Sequence, residues 1–410
     1  ARFLQQRERI PVLGRLSDDL GITSISSLDD LVPLLFAHSN YKSYPESFIA
    51  NGRWELMNSW LDSLSSERVD GVDIEGVRDQ DDWLERLHAN DHLVFVSSGT
   101  TGKNSFLPAT PFDRDFSLKF LEVTLDRNRG RGRRNDRAVF VLGPKYGPNR
   151  AALHFRTMAE MFGRPDATYF LTEEPMRVAD LSRMSDLRRR ITDGTAKPSE
   201  IAAFEKESAD NQRLMDERLD RLIDAVIEHH DEPMIIAGFW AQYWQIMQRA
   251  QAKGLKAGAF HPEIQLTGGG GVKGVVLPPD YKEQILGFFG IDPATMTNGY
   301  GMSELSAALP GIDGRYRTVP WVIPLLLDDT GEKLLSAESG LVEGRMAFFD
   351  LAIEGRWGGV VTGDHVTADF STPNVSVVAD SITRYSLMQG GDDKLTCAGT
   401  IDAYVRGVTG

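Results

Sequence analysis

The fold of this chain is decided at residues 92–110, HLVFVSSGTTGKNSFLPAT, where an apolar run meets a cluster of hydroxyls and glycines that a lysine closes. The apolar residues 92–97 predict a short buried strand. Glycines let the following backbone bend so that successive N–H groups point into one concavity, and Lys103 adds a mobile positive charge. The stretch therefore predicts a strand that runs into a phosphate-binding loop, with an ordinary glycine-rich turn as the alternative.

The loop differs from the Walker A pattern, which has four residues between its glycines and then Lys followed by Ser or Thr. Here two residues separate Gly99 from Gly102, and Asn104 follows the lysine. A conventional P-loop kinase or ATPase is therefore not expected.

The segments around this loop alternate between strand-like and helical patterns. Residues 1–90 read as mostly helical, 116–128 have helical spacing, and 138–144 read as a buried strand. Further along, a strand at 233–239 precedes a helix at 240–254, where Gly254 is a helix stop. This rhythm indicates α/β layering.

Three strands run into glycine-rich loops, at positions 99, 268 and 299. Open α/β sheets bind ligands at the carboxyl ends of their strands. The pattern therefore predicts one composite site. The charged stretch 181–228 is expected to be a solvated helical surface, with Leu214, Leu219, Leu222 and Val226 on one face.

Composition and charge restrict the class of partner. The 410 residues are 41% hydrophobic and 25% charged, as in a globular protein with a sizeable core. The net charge of −14 argues against a nucleic-acid surface, because phosphate backbones need a basic patch. The single cysteine excludes a disulfide framework within the chain and fits a cytoplasmic location. The sequence shows neither a signal peptide nor a membrane-length apolar run.

Four motifs, in order along the chain, resemble those of the adenylate-forming superfamily, which includes acyl-CoA synthetases, luciferases and the adenylation domains of peptide synthetases. SSGTTGK at 97–103 resembles the superfamily's phosphate loop, and NGYGMSE at 298–304 resembles its YGxTE or YGxSE motif. TGD at 362–364 resembles its ribose-binding motif, and GGDDK at 390–394 resembles its hinge. These enzymes join a carboxylate to the AMP part of ATP and release pyrophosphate.

The resemblance implies roles for individual residues. Tyr300 is expected to stack on adenine, Asp364 to accept hydrogen bonds from the ribose hydroxyls, and Asp392 to be the hinge position. The residues expected to act in catalysis are Thr100, Lys103, Ser303 and Glu304, with Ser303 near the α-phosphate and Glu304 as the Mg²⁺ ligand. The further residues expected to contact the nucleotide are Ser97, Ser98, Gly99, Thr101, Gly102, Asn298, Gly299 and Gly301.

The sequence departs from the superfamily pattern in two places. Gly390 stands where the superfamily has an arginine that contacts ribose. The chain ends at Gly410, soon after the hinge motif, whereas superfamily members continue into a mobile C-terminal domain that carries a catalytic lysine. That domain is expected to be absent or truncated. Among subfamilies, the spacing most resembles phenylacetate–CoA ligases and the acyl-protein synthetases of bacterial bioluminescence.

An acyl pocket is expected between residues 238–244 and the glycines at 267–271, which include Gly269 and Gly270. Phe239, Trp240, Tyr243 and Trp244 offer aromatic walls there, although packing of a helix explains the same spacing. The remaining candidates are His154 as a lining residue, Lys273 as a second cation and Cys397 as an acyl acceptor. Each has an ordinary structural alternative, respectively a core histidine, an exposed lysine and a buried cysteine.

The expected fold is α/β, with a large adenylation domain of layered sheets flanked by helices and a small β-rich subdomain. The expected segments are an N-terminal helical part at 1–90, a nucleotide- and acyl-binding core at 91–310, a β-rich subdomain at 311–388, and a hinge with a C-terminal stub at 389–410.

The leading hypothesis is an ATP- and Mg²⁺-dependent enzyme that activates a carboxylic acid and passes the acyl group to a thiol. That thiol could belong to coenzyme A, a carrier protein or a protein cysteine. Two alternatives stay open, a ligase that uses a nitrogen nucleophile and a nucleotide-binding relic without activity. Neither a nucleic acid nor a membrane span is expected, and the oligomeric state stays undetermined.

Overall fold

The computed structural model describes residues 1–98, 103–129, 135–269, 276–293, 299–336, 340–372, 374–388 and 395, leaving aside the side chains of residues 98, 125–129 and 269. The described helices are α1 (Arg2–Arg9), α2 (Pro11–Asp19), α3 (Glu46–Ala50), α4 (Trp54–Leu64), α5 (Gln80–Ala89), α6 (Pro111–Arg129), α7 (Arg150–Phe162), α8 (Val178–Thr192), α9 (Pro198–Glu228), α10 (Trp240–Ala252) and α11 (Tyr281–Phe289). Among these helices, none combines the length and the apolar character that a bilayer crossing requires.

The described strands are β1 (Phe36–Ala37), β2 (Leu93–Ser98), β3 (Asn104–Ala109), β4 (Arg137–Pro144), β5 (Gly163–Thr172), β6 (Met234–Phe239), β7 (Gln265–Gly269), β8 (Gly299–Tyr300), β9 (Leu309–Ile312), β10 (Arg315–Arg317), β11 (Val322–Leu327), β12 (Leu334–Leu335), β13 (Leu341–Asp350), β14 (Gly359–Asp369), β15 (Ser376–Val378) and β16 (Thr383–Arg384). The chain divides into two compact units. Unit 1 comprises Ala1–Lys119 and Gly299–Gly410, and unit 2 comprises Phe120–Asn298.

Unit 2 contains a parallel sheet in the order β5-β4-β6-β7, as the strand–helix rhythm predicted. Alternate residues of β4 point to opposite faces, so that Phe140 packs with α9, α10 and α11 while Val141 packs with α7. Because helices cover both faces, the strands are buried on both sides, which explains their nearly continuous apolar sequence. The mixed α/β expectation is confirmed.

The charged stretch that precedes β6 forms α8 and α9. Leu219, Leu222 and Val226 are buried on one face of α9, as expected, and pack in the core of unit 2. Leu214, by contrast, is 37% exposed, and the first buried residue of α9 is Leu219. The predicted apolar face therefore begins one turn later than the leucine pattern suggested.

Unit 1 contains a largely antiparallel sheet with the path β12-β11-β13-β14-β15-β10-β9-β8. The two long strands β13 and β14 form its centre. The N-terminal helical part joins this sheet through β1, which pairs with β14 in parallel. Trp357 donates a hydrogen bond from its indole N–H to the Leu34 carbonyl at 2.8 Å and is buried beside β1.

Residues 104–109 form a strand that the sequence reading missed. β3 pairs with β2 in an antiparallel hairpin and is buried along its whole length, whereas within β2 only Val96 is fully buried among the described side chains. The next described element after the glycine-rich segment is therefore a strand rather than a helix. β2 and β7, which lead to the first two glycine-rich stretches, belong to different sheets, and Gly299 is the first residue of β8 in a third sheet, so the three stretches do not share one sheet edge.

Candidate functional site

Tyr300 and Asp364, which two separate motifs supplied, are in direct contact within unit 1. The Tyr300 hydroxyl donates a hydrogen bond to the Asp364 carboxylate at 2.5 Å. Tyr300 is the second residue of β8, and Asp364 lies in the middle of β14, not in a turn. The fold thus joins the expected adenine and ribose residues, which are 64 positions apart in the sequence.

Arg384 holds the other oxygen of Asp364, and the sequence reading did not identify it. Its Nε lies 2.9 Å from the carboxylate, and its side chain is 48% exposed whereas that of Asp364 is 3% exposed. The two residues face each other because β16 pairs with β14 in the register Asp364–Arg384. Only this strand pairing reveals the contact, since no motif marks position 384.

The surroundings of Tyr300 keep its hydroxyl protonated. Burial raises the pKa of Tyr300 well above its usual value, and the negative charge of Asp364 raises it further. One neighbour of its ring is Tyr316, with centroids 5.8 Å apart, and another is Phe348 at 6.0 Å. The hydroxyl is consequently a donor to Asp364 at neutral pH.

The glycines of the tyrosine motif are closely packed against Ala308. A Cβ on Gly301 would lie 3.0 Å from the Cβ of Ala308, and one on Gly299 would lie 3.2 Å from the same atom. Both distances are shorter than ordinary carbon contacts. Glycine at these positions therefore lets β8 lie against the segment that leads into β9 without displacing Ala308.

Arg356 connects the hairpin to the turn that follows Tyr300. Its guanidinium donates to the carbonyls of Ser303 at 3.1 Å and Glu304 at 2.9 Å. The same group donates to the Pro108 carbonyl of β3 at 2.9 Å, and Arg356 is only 3% exposed. One buried cation thus holds the backbone of both expected catalytic residues beside the hairpin that carries the glycine loop.

A buried carboxylate fixes the segment that carries Arg356. Asp113, at the start of α6, accepts hydrogen bonds from the backbone N–H groups of Glu354 at 2.7 Å and Gly355 at 2.8 Å. Asp113 also accepts from the Thr110 N–H at 2.8 Å, just after β3. Two sets of hydrogen bonds therefore fix Arg356 beside β3. Its own guanidinium bonds to Pro108 in β3, and Asp113 ties the backbone just before Arg356 to Thr110, the residue after β3.

Lys103 lies at the start of β3 and contacts Tyr44. Its amine donates a hydrogen bond to the Tyr44 carbonyl and lies 4.2 Å from the centroid of the Tyr44 ring. Burial raises the pKa of Tyr44, whose hydroxyl donates to the Asn104 carbonyl at 3.0 Å. The lysine stem is thereby anchored next to the glycine loop.

The structure describes only part of the expected site. Ser97 pairs with Ser105, and the backbone of Ser98 pairs with Asn104, at the tip of the hairpin. The candidates that lie outside the described residues are Gly99, Thr100, Thr101, Gly102, Gly270, Lys273, Asn298, Asp392 and Cys397.

Glu304 is half-buried on the turn held by Arg356. The pKa of the buried Tyr41 is raised mainly by burial and further by the negative charge of Glu304. Within the described part of the chain, no group of three or more His, Cys, Asp or Glu side chains could hold a metal ion. A single carboxylate suits Mg²⁺ when phosphates supply further ligands, since Mg²⁺ is commonly held by one or two carboxylates, phosphates and waters. Glu304 therefore fits a metal that arrives with a nucleotide.

The expected acyl-pocket residues of unit 2 lie on helices at opposite faces of the parallel sheet. His154 is on α7, which packs on one face, whereas Trp240 begins α10, which packs on the other. Trp240 is 8% exposed and Tyr243 is fully buried. Both aromatic rings are core residues of unit 2.

Phe239 and Gly269 are neighbours at the carboxyl edge of this sheet. They are paired in register between β6 and β7, and Phe239 is 46% exposed. Gly268 has a φ of +112°, and a Cβ there would collide with the Gly238 carbonyl oxygen. Glycine at position 268, within β7, is thus a requirement of the close approach between these two strands.

Comparison with known proteins gives little beyond this geometry. No protein-family profile matches the chain, and no curated protein matches it either. A solved structure that resembles the chain is that of an acyl-CoA synthetase (AMP-forming)/AMP-acid ligase II-like protein from Dyadobacter fermentans, with 12% sequence identity and a TM-score of 0.36. The match covers 74% of this chain and 63% of that protein, so the chain spans less than two thirds of its length.

Proposed function

We propose that this protein activates a carboxylic acid as an acyl-adenylate, using ATP and Mg²⁺ and releasing pyrophosphate. The observation that carries the proposal is the hydrogen bond from Tyr300 to Asp364, supported by the bridge that Arg356 makes between β3 and the Ser303–Glu304 turn. Three motifs that resemble one superfamily's nucleotide site are thereby connected within a single unit.

In this proposal, Asp364 accepts hydrogen bonds from the ribose hydroxyls, and the Tyr300 ring lies against adenine. Arg384 takes the place of the arginine that the hinge motif lacks at position 390, since its guanidinium already lies 2.9 Å from the ribose-binding carboxylate. An arginine with half of its side chain exposed has donors left for a ribose or phosphate oxygen.

The phosphates are assigned to the glycine-rich segment between β2 and β3 and to the turn after Tyr300. Lys103 and the loop hydroxyls, including Thr100, supply positive charge and donors, and Ser303 lies on the side of the α-phosphate. Mg²⁺, bound by Glu304 together with phosphate oxygens, supplies charge neutralisation. The protein's net charge of −14 makes such local neutralisation necessary for binding an anionic nucleotide.

The first step needs no protein base, because a carboxylate is already ionised at pH 7. A carboxylate oxygen attacks the α-phosphorus, the bond from that phosphorus to the bridging oxygen breaks, and pyrophosphate leaves with the electron pair. Positioning in line and stabilisation of charge carry most of the catalysis in such transfers. The residues named above are suited to both tasks.

The second step transfers the acyl group to an acceptor, for which a thiol is our first choice. A thiolate of coenzyme A, of a carrier protein or of a protein cysteine such as Cys397 attacks the acyl carbon, and AMP leaves. An amine acceptor and a relic that only binds ATP are the alternatives. Competition between thiol and amine acceptors separates the first two, and ATP binding without pyrophosphate release identifies the relic.

The test is ATP–pyrophosphate exchange with Mg²⁺ against a panel of aryl, short-chain and long-chain acids. Exchange that depends on the acid supports adenylation and identifies the substrate class. Asp364→Ala should weaken ATP binding by about 1–3 kcal/mol, the scale for losing a charged hydrogen bond, and Arg384→Gln should weaken it in the same direction.

The matched control is Arg317→Gln, at an exposed arginine of β10 in the same unit. It changes the global charge by the same amount and should leave ATP affinity unchanged. ATP binding without exchange for any acid would contradict the proposal in favour of the relic, and equal effects of Arg384→Gln and Arg317→Gln would remove Arg384 from the site.

A further inference from the structure

Unit 2 has a cavity of about 420 Å³ between the end of β5 and α9. Ligand pockets commonly have volumes of roughly 300–1,000 Å³. β5 is an edge strand of the parallel sheet, and the cavity lies at its carboxyl end, where sheets of this kind bind ligands. None of the residues that line it belongs to a motif of the proposed nucleotide site.

The inner wall of the cavity is held in place before any ligand binds. The Tyr169 ring stacks on Phe140 with centroids 5.0 Å apart and an interplanar angle of 3°. Its hydroxyl lies 3.0 Å from the His229 Nε2, and the His229 Nδ1 lies 2.9 Å from Glu232. Because both the ring and the hydroxyl of Tyr169 are already held, little side-chain entropy is lost there when a ligand binds.

Both acidic side chains at the mouth of the cavity are paired with cations, and one further arginine lines it. Arg218 donates to the Thr172 hydroxyl at 2.8 Å and to the Glu174 carboxylate at 2.9 Å. Glu173 is paired with Lys145 at 2.8 Å. Among the residues that the structure describes, none forms a hydrogen bond or ion pair with the Arg221 guanidinium, which also lines the cavity.

The rest of the lining is apolar. Leu171 lies on the β5 side, and Leu222 and Ala225 lie on the α9 side, next to the Tyr169 ring. The cavity thus offers an apolar interior and a single uncompensated guanidinium at its mouth. An apolar body with one negative charge at one end complements both features.

We propose that this cavity binds an amphiphilic carboxylate, with the carboxylate on Arg221 and the apolar chain against Leu171, Leu222 and Ala225. Binding needs no nucleotide, because the whole site lies within α9, the end of β5 and the two residues that follow it. The inference goes beyond the proposed adenylation, since it assigns a second site for an organic acid that shares no lining residue with the expected acyl pocket.

The experiment measures binding of octanoate, octanol and octyl phosphate to the whole chain by calorimetry, without ATP or Mg²⁺. We expect octanoate to bind at least about tenfold more tightly than octanol. Arg221→Gln should weaken octanoate binding by about tenfold or more, the scale of one charged contact, and leave octanol unchanged. Ala225→Phe should block both ligands by filling the cavity.

The control is Arg188→Gln, at an exposed arginine of α8, which should bind octanoate like the unmodified protein. Octanoate binding that survives both Arg221→Gln and Ala225→Phe, or no octanoate binding at millimolar concentration, overturns the proposal. Tighter binding of octyl phosphate than of octanoate overturns the assignment to a carboxylate.

The two proposals fail separately. If adenylation is wrong, pyrophosphate exchange is absent while Arg221-dependent octanoate binding persists. If the cavity proposal is wrong, exchange with the cognate acid persists while the nucleotide-free binding does not depend on Arg221.

Discussion

Replacement of Arg356 by lysine should separate the glycine-loop hairpin from the turn after Tyr300 while keeping a buried positive charge. The arginine makes three hydrogen bonds to carbonyls, one on Pro108 and one each on Ser303 and Glu304. A lysine presents one ammonium group and cannot reproduce the fork that reaches two chain segments. We expect the lysine variant to fold with the turn displaced.

The magnitude follows from these contacts. A hydrogen bond from a charged group contributes about 1.5–3 kcal/mol, and breaking a buried charged contact typically costs about 3–5 kcal/mol in all. Arg356→Met removes all three donors and should lower the free energy of unfolding by about 3–5 kcal/mol. Arg356→Lys retains one or two of the three hydrogen bonds, so a loss of about 1–3 kcal/mol is expected, together with about tenfold weaker ATP binding.

The assay is urea unfolding combined with calorimetric ATP binding on the folded variant. The control is Arg137→Lys, because Arg137 is 2% exposed and lies in unit 2, where none of the nucleotide motifs is described. It should lower stability without changing ATP affinity. If Arg356→Lys is folded and binds ATP as tightly as the control does, the guanidinium bridge does not position the motif turn, and the reasoning is refuted.

Three further outcomes are expected. Gly268→Ala should lower the unfolding temperature of unit 2, because Gly268 has a φ of +112° and an added Cβ would collide with the Gly238 carbonyl. Gly287→Ala should raise the unfolding temperature, because Gly287 lies in a helix and an added Cβ meets nothing within 4 Å. Equal effects of the two substitutions would contradict this view. Burial, with the charge of Arg150, lowers the pKa of His154 from 6.5 to about 3, so between these pH values the unfolded chain binds a proton that the folded chain does not. Stability should therefore fall as the pH falls through this window, and denaturant titrations at pH 7 and 5 should show a smaller fall for His154→Asn; an identical fall would exclude His154 as the cause. Glu304→Gln should abolish Mg²⁺-dependent exchange while leaving the unfolding transition in place, and full activity would refute its metal role.

The sequence by itself determined the elements whose hydrophobic pattern fits only one kind of secondary structure. The apolar runs at 138–144 and 233–239 became buried parallel strands, and Gly254 follows a helix as expected, with a φ of +93°. Such segments are recognisable because burial on both faces of a sheet demands continuous apolar residues, whatever their neighbours are.

Only the tertiary structure decided which distant segments meet. The pairing of β16 with β14 brings Arg384 to Asp364, and the burial of Arg356 joins β3 to the turn after Tyr300. Which strands pair, and which carbonyls bond to a buried guanidinium, depends on the packing of the whole unit. A local sequence pattern does not specify these long-range contacts. Strand β3 was not predicted for the same reason, because its pairing with β2 depends on the packed unit and not on its own sequence pattern.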